Sequence, residues 1–151
     1  MISELAALYA RDLDKVAAEL KLYPDEASLW QVQPGISNPA GNLALHLVGN
    51  LSLFVGHNLG GVAYLRDRPA EFARRDVPRA ELLTDLQATA EAVAKALAGL
   101  DDAALNQPYP LEVANFPAGM TTGSFLVHLY GHLNWHLGQI NYHRRLLFPA
   151  S

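Results

Sequence analysis

The sequence of 151 residues contains no cysteine. That absence excludes disulfides, thiolate metal ligands and a catalytic cysteine, so a thiol used in chemistry would have to arrive with a substrate. Charge is missing too, since residues 27–65 and 113–143 contain no Asp, Glu, Lys or Arg. Stretches of this length could suggest membrane spans, but both are rich in His, Asn or Gln, which are costly in hydrocarbon. We therefore predict two buried helices of a soluble protein.

The charged residues of the sequence argue against nucleic acid as a partner. The 11 Lys and Arg residues are scattered and the net charge is −4, whereas a nucleic-acid surface needs a basic stripe. Glu4 introduces charge early, with no basic leader and apolar run before it, so we expect no signal peptide and a cytoplasmic protein. The length indicates a single domain over residues 1–151.

The hydrophobic pattern predicts four helices and no strand. They are expected at residues 2–22, 40–65, 78–98 and, after a cap at Thr121, Thr122 or Ser124, up to about residue 147. Residues 66–78 are charged and are predicted to be a solvated linker. The fold class is therefore all-α, an up-and-down four-helix bundle with two long connecting loops at residues 24–39 and 101–123.

Small and bulky residues in these segments raise two further questions. Gly56 and Gly60 lie one turn apart in the predicted second helix and would admit a close partner, either a helix of this chain or a second subunit. Trp30 in the first loop is expected to close one end of the bundle, with a place in a substrate pocket as the alternative. The second loop precedes the last helix and could fold over a site as a lid.

Four of the six histidines lie within one sixteen-residue stretch of the last helix: His128, His132, His136 and His143. Their spacings of four, four and seven place them on one face. Because His128 and His136 are separated by about 12 Å along the axis, only an i, i+4 pair can share an ion. His128 with His132 and His132 with His136 are both candidates. The alternative is a set of hydrogen-bonded core groups, but four imidazoles on an uncharged helix favour metal binding.

Two histidines leave a metal ion short of ligands, and the other uncharged helix supplies His46. Three histidines with an open fourth position are typical of catalytic zinc, and the set serves nickel or ferrous iron nearly as well. Asn50, one turn after His46, and Gln139 in the last helix are placed to orient ligands through hydrogen bonds. His57 lies about 16 Å beyond His46 and cannot share the ion, so we predict a packing or interface role for it, as for His143.

These residues resemble a known family. His46 on the second helix, with the run HLNWHLGQ at residues 132–139, is similar to the DinB-like superfamily of damage-inducible bacterial proteins. The resemblance spans the whole chain and implies that His46, His132 and His136 are the metal ligands. Trp135 stands where a second histidine is common, and it is a pocket candidate together with His128, which would be a pocket base or else a satisfied core group.

The resemblance also implies a function. The superfamily includes S-transferases and isomerases that use low-molecular-weight bacterial thiols, and its members commonly pair as dimers. The expected protein is a homodimer with a divalent metal (zinc, nickel or iron) whose open position activates a thiol or water for transfer or hydrolysis of a small-molecule substrate. A non-catalytic metal-binding module for stress response and a metal-free structural bundle are the alternatives.

Overall fold

The computed structural model describes residues 1–149, which form helices and no β-strand. The predicted all-helical class is therefore confirmed. The five α-helices are α1 (Ile2–Lys21), α2 (Ala40–Leu51), α3 (Arg68–Ala73), α4 (Arg79–Ala98) and α5 (Thr122–Leu147). One π-helical turn, Ser52–His57, continues α2, and short 3-10 turns occupy Ala27–Trp30 and Ala104–Asn106. The four long helices share one hydrophobic core, in which α1 and α2 each contact both α4 and α5.

The second helix is shorter than predicted. Its regular hydrogen bonding ends with the π turn at His57, and residues 61–67 are not helical. Gly61 has a φ of +67°, in the left-handed region that glycine adopts without strain, and it reverses the backbone there. The next residue, Val62, donates its N–H to the carbonyl of Gly56 at 3.0 Å and closes the turn.

The glycines of this segment meet another helix of the same chain. A Cβ built on Gly56 would lie 3.0 Å from the Cβ of Ala92, and one built on Gly60 would lie 2.8 Å from the Cβ of Ala96. Both alanines belong to α4. Of the two partners that the sequence left open, the structure therefore shows the helix of the same chain.

The prediction that residues 66–78 form a solvated linker is wrong. The segment contains α3, which Asp67 caps at its N-terminus, and the side chain of Glu71 is buried. Asn42 of α2 binds the segment, since its Nδ2 donates to the carbonyls of Glu71 and Arg74, both at 2.9 Å. Its Oδ1 accepts a hydrogen bond from Arg75 at 2.7 Å. These partners lie far apart in the sequence, so the charge pattern alone conceals them.

The two loops pack against the helices rather than away from them. Trp30 is 7% exposed and its ring lies over Gly41, so it belongs to the core. Tyr109 of the second loop donates a hydrogen bond to the carbonyl of Phe54 at 2.6 Å and packs edge-on against Phe125.

The two uncharged stretches differ in burial. All twelve residues of α2 are buried, as predicted. Along α5 that prediction is wrong, because large apolar side chains of this helix are exposed: Val127, Trp135, Tyr142 and Leu146. Across residues 1–149, none of the helices combines the length and hydropathy required to cross a bilayer.

Candidate metal centre

Three histidines from two helices converge on one point. The Nε2 atom of His132 lies 3.0 Å from the Nε2 of His46 and 3.1 Å from the Nε2 of His136. The ring centroids are 4.5–5.1 Å apart, and the rings are steeply inclined to one another. Nitrogens that share a zinc ion at about 2.0–2.1 Å are separated by roughly 3.4 Å, close to these distances. The group can hold a metal ion.

Hydrogen bonds on the far side of two rings fix their tautomers. The Nδ1 of His46 lies 2.9 Å from a carboxylate oxygen of Glu71, which only accepts, so the ring hydrogen is on Nδ1. The Nδ1 of His136 lies 2.7 Å from the Oε1 of Gln139 and donates in the same way. Both Nε2 lone pairs therefore face the centre.

His132 completes a set that is suited to a cation. Its Nε2–H could donate to only one of the two facing lone pairs, and the second would then lack a donor. Burial, followed by the proximity of His136 and His46, lowers the pKa of His132 to about 3. Burial also lowers the pKa of His136, against the opposing hydrogen bond to Gln139. These imidazoles are thus neutral at physiological pH, which is the form that binds metal.

A buried ion pair supports His46. Glu71 is 6% exposed and receives two hydrogen bonds from Arg66, from Nε at 2.9 Å and from Nη2 at 3.0 Å. Burial by itself would raise the pKa of Glu71, but the hydrogen bonds from His46 and Arg66 outweigh it and hold the pKa below its ordinary value. The carboxylate is therefore charged while it accepts the hydrogen of His46.

The comparison with known families agrees with this geometry. The family model described as the DinB superfamily matches residues 8–140, a range that contains all three histidines. The chain belongs to the DinB superfamily. No curated protein and no solved structure matches it at a significant level.

Not every predicted residue of this DinB-superfamily chain reaches the centre. Gln139 contacts a ligand ring as expected. Asn50 is buried, but its Oδ1 has no hydrogen-bond partner within residues 1–149, and neither does the Nδ1 of His132. His128 is exposed and lies outside the converging group, with its ring edge-on to Phe116 at 4.7 Å.

The remaining two histidines, His57 and His143, form hydrogen bonds outside the converging group. His57 is exposed, and its Nδ1 donates to the carbonyl of Val62 at 2.9 Å. His143 is buried between Tyr23, whose hydroxyl lies 2.6 Å from Nδ1, and the carbonyl of Gln31, 2.8 Å from Nε2. The side chain of His57 thus bonds within its own segment, whereas that of His143 joins α5 to residues that follow α1.

A cleft of about 1060 Å³ lies beside the centre of this superfamily member. It is bounded by α1, by residues 35–38, by Leu43 of α2 and by α5. His136, Gln139 and Trp135 all line it. Trp135, a predicted pocket residue, is 69% exposed and does not contribute to the converging histidines.

Sequence reasoning missed Glu71 and Arg66. Their charges sit in a run that is typical of solvated loops. One signal was available in Gly49, because a Cβ at this helical position would lie 1.8 Å from a carboxylate oxygen of Glu71. A glycine one turn from a candidate ligand thus marks the place where a second side chain approaches.

Proposed function

We propose that this DinB-superfamily protein is a metal-dependent enzyme whose divalent ion is held by His46, His132 and His136. The observation that supports this proposal best is the convergence of the three Nε2 atoms, with two Nδ1 atoms already occupied by Glu71 and Gln139. Three imidazole ligands are typical of catalytic sites, which keep a further coordination position open. When bound there, a divalent cation lowers the pKa of a thiol or water at that position.

The ligand chemistry restricts the metal without selecting one. Three imidazoles without a thiolate suit zinc, nickel or ferrous iron. Asn50 and His132 supply complementary buried groups, an acceptor and an Nδ1, both without a partner in the described residues. Metal ligation through Nε2 places the hydrogen of His132 on Nδ1. We propose that Asn50 accepts it through a water molecule, since the two side chains form no direct hydrogen bond.

The cleft favours an enzyme over a non-catalytic metal-binding module. His136 belongs both to the proposed ligand set and to the wall of the cleft, whose volume of about 1060 Å³ is sufficient for a small-molecule substrate. The ring nitrogen of His136 is held by Gln139, which lines the same wall. We propose a low-molecular-weight thiol as the activated nucleophile, with water, and hence hydrolysis, as the second possibility.

The assembly is also a proposal. We propose that the four long helices form an up-and-down bundle with the two loops as long connections. We further propose a cytoplasmic homodimer. Sedimentation of the wild type as a dimer would support this assembly, and sedimentation as a monomer would refute it.

Metal content tests the centre. Untagged protein is expected to bind one divalent ion per chain after loading with Zn²⁺, and His46→Ala, His132→Ala and His136→Ala are each expected to lose most of it. His57→Ala is the matched control, because this exposed histidine lies outside the converging group and bonds to the carbonyl of Val62. Unchanged metal content in all three ligand variants would refute the centre and leave a metal-free helical protein.

Catalysis requires a separate test. The zinc-, nickel- and iron-loaded forms are assayed for conjugation of several low-molecular-weight thiols to an electrophilic test compound. Faster conjugation by the wild type than by His132→Ala would support a transferase. Equal rates for every thiol and metal, in protein that binds its ion, would favour the non-catalytic module.

A further inference from the structure

The ligand His46 is part of a chain of hydrogen bonds that leads away from the centre. Its Nδ1 donates to Glu71 at 2.9 Å, and Arg66 holds that carboxylate through two hydrogen bonds. The side chains of His46, Glu71 and Arg66 are 7%, 6% and 11% exposed. Ion pairs on a protein surface are worth little, but this pair is withdrawn from water and its geometry is bidentate.

The residues around these hydrogen bonds leave room for the carboxylate of Glu71 and hold α3 against α2. A Cβ at Gly49 would lie 1.8 Å from the Oε2 and 2.5 Å from the Cδ of Glu71, so only glycine leaves room for the carboxylate. Phe72, which follows Glu71 in α3, places its ring 4.9 Å from the ring of His46. Asn42 fixes α3 to α2 through two backbone carbonyls. Asn42, His46 and Gly49 are spaced by four and three residues, so they lie on one face of α2, against which α3 packs.

The other two ligand candidates lack such support. His136 is held by Gln139, a neutral and exposed side chain. His132 has no partner for Nδ1 within the described residues. Among residues 1–149, His46 is the one ring of the three that has a charged and buried partner.

We propose that Glu71 is a positioning residue that fixes the tautomer and orientation of His46 for metal binding, while Arg66 and Gly49 keep its carboxylate in place. This inference rests on the metal centre proposed above. A carboxylate on the far nitrogen of a ligating imidazole orients the ring and raises the basicity of the nitrogen that binds metal. The positive charge of Arg66 neutralises the negative charge of Glu71, so the carboxylate would not offset the charge of a divalent ion. That charge would favour an anionic ligand, such as a thiolate, at the open position.

Three variants test the role of Glu71. Glu71→Ala removes the acceptor, and Glu71→Gln keeps an acceptor but loses the charge. Gly49→Ala leaves every polar side chain unchanged and displaces the carboxylate by adding one methyl group. Gly131→Ala is the control, because it adds the same methyl group at a helical position where, apart from the adjacent helix backbone, no described residue lies within 4 Å.

The first measurement needs no metal. Long-range ¹H–¹⁵N NMR spectra of the histidine rings should show His46 as the Nδ1–H tautomer in the wild type and in Gly131→Ala. Glu71→Ala and Gly49→Ala should shift this ring toward Nε2–H, with Glu71→Gln in between. Retention of the Nδ1–H tautomer in folded Gly49→Ala and in both Glu71 variants would overturn the proposal.

The second measurement uses Co²⁺ as the probe. Its affinity should fall about 10- to 100-fold in Glu71→Ala and Gly49→Ala, less in Glu71→Gln, and not at all in Gly131→Ala. The absorption bands of the bound Co²⁺ should also change in Glu71→Gln, which a purely structural role would not cause. If Glu71→Ala does not fold, Gly49→Ala and Glu71→Gln decide the question.

The two proposals fail in different ways. Wild-type affinity for Co²⁺ in every Glu71 and Gly49 variant, with affinity lost in His46→Ala, refutes the positioning role alone. No Co²⁺ binding by the wild type, or wild-type binding by His46→Ala, refutes the metal centre and this inference with it.

Discussion

Helix α2 and the part of α5 before Arg144 both lack charged residues, yet the two helices have different environments. Every one of the twelve residues of α2 is buried, whereas α5 exposes Trp135, Tyr142 and Leu146. A stretch of sequence without charged residues therefore shows only that the surface of the helix carries no charged side chain. It does not show that other parts of the protein cover that surface.

The neighbours of each helix explain the difference. Helix α2 is enclosed by α3, α4, α5 and the 3-10 turn at Ala27–Trp30, whereas α5 packs chiefly on α1, α2 and the turn at Ala104–Asn106. Most of the glycines follow the same division. Gly49 of α2, with Gly56 and Gly60 just after this helix, lies against other atoms. In α5, Gly123 packs against Leu105, whereas Gly131 and Gly138 face open space. Buried glycine marks close packing, and exposed glycine on α5 marks a free face.

Replacing one leucine in each helix is expected to give the largest difference in the free energy of unfolding. Leu47 of α2 is fully buried, and Leu47→Ala should lower the free energy of unfolding by about 2–5 kcal/mol because it leaves a cavity. Leu146 of α5 is 72% exposed, and Leu146→Ala should change it by less than about 0.5 kcal/mol. Urea denaturation of both variants measures the difference. Similar losses would show that α5 is covered in solution.

Overpacking tests the same division with a smaller effect. A Cβ on Gly60 would lie 2.7 Å from the carbonyl oxygen of Gly56 and 2.8 Å from the Cβ of Ala96. Neither atom belongs to a flexible side chain, so Gly60→Ala should destabilise the protein by about 1–3 kcal/mol. Thermal unfolding measures the loss. A variant as stable as the wild type would mean that α4 can move away from this segment.

Local signals explain which helices were predictable. The observed bounds of α1, α4 and α5 agree with the predicted ones to within about one residue. Each end has its signal nearby, such as Thr121, whose side chain accepts the N–H of Ser124, and Gly99, which follows the last residue of α4. The end of the second helix was misplaced because the decisive contacts, those of Gly56 and Gly60 with α4, join distant parts of the chain.

The same distinction applies to the candidate centre. The pairing of His132 with His136 follows from helical spacing and from the family resemblance, and His46 from the family signature. The sequence did not predict Glu71 as the partner of His46. Helix α3 has only six residues, and contacts with Asn42, His46 and Gly49 hold it in place rather than a hydrophobic pattern of its own. A short helix in a charged segment is therefore recognisable only once its tertiary partners are known.

On its covered side, α5 contacts a buried carboxylate of α1. The titration of that carboxylate gives a pH-dependent prediction. Tyr130 of α5 donates to the buried carboxylate of Asp12 on α1 at 2.5 Å, and Arg11 and Lys15 pair with the same carboxylate. The hydrogen bond from Arg11, helped by those from Tyr130 and Lys15 and opposed by burial, holds the pKa of Asp12 well below its ordinary value of 3.8. Asp12→Asn should therefore cost about 1–2 kcal/mol at pH 7.

The sign of the pH dependence follows from that lowered pKa. The unfolded chain binds a proton at Asp12 near pH 3.8, whereas the folded protein does so only at lower pH. The stabilisation is thus complete above pH 3.8 and is lost as the pH falls toward the folded value. Urea denaturation of the wild type and Asp12→Asn should show a constant difference from pH 5 to 7 that shrinks below pH 4. A difference independent of pH would mean that the carboxylate is unpaired.

The free side of α5 gives the smallest effect, and one of opposite sign. Gly131 is in mid-helix, and an added Cβ would meet no atom of residues 1–149 within 4 Å beyond the adjacent helix backbone. Alanine has the higher helix propensity, so Gly131→Ala should raise the free energy of unfolding by up to about 1 kcal/mol. Denaturation should be combined with sedimentation, so that variant and wild type are compared in the same oligomeric state. A loss of stability would show that a second subunit packs against this face, and α5 would then resemble α2 after all.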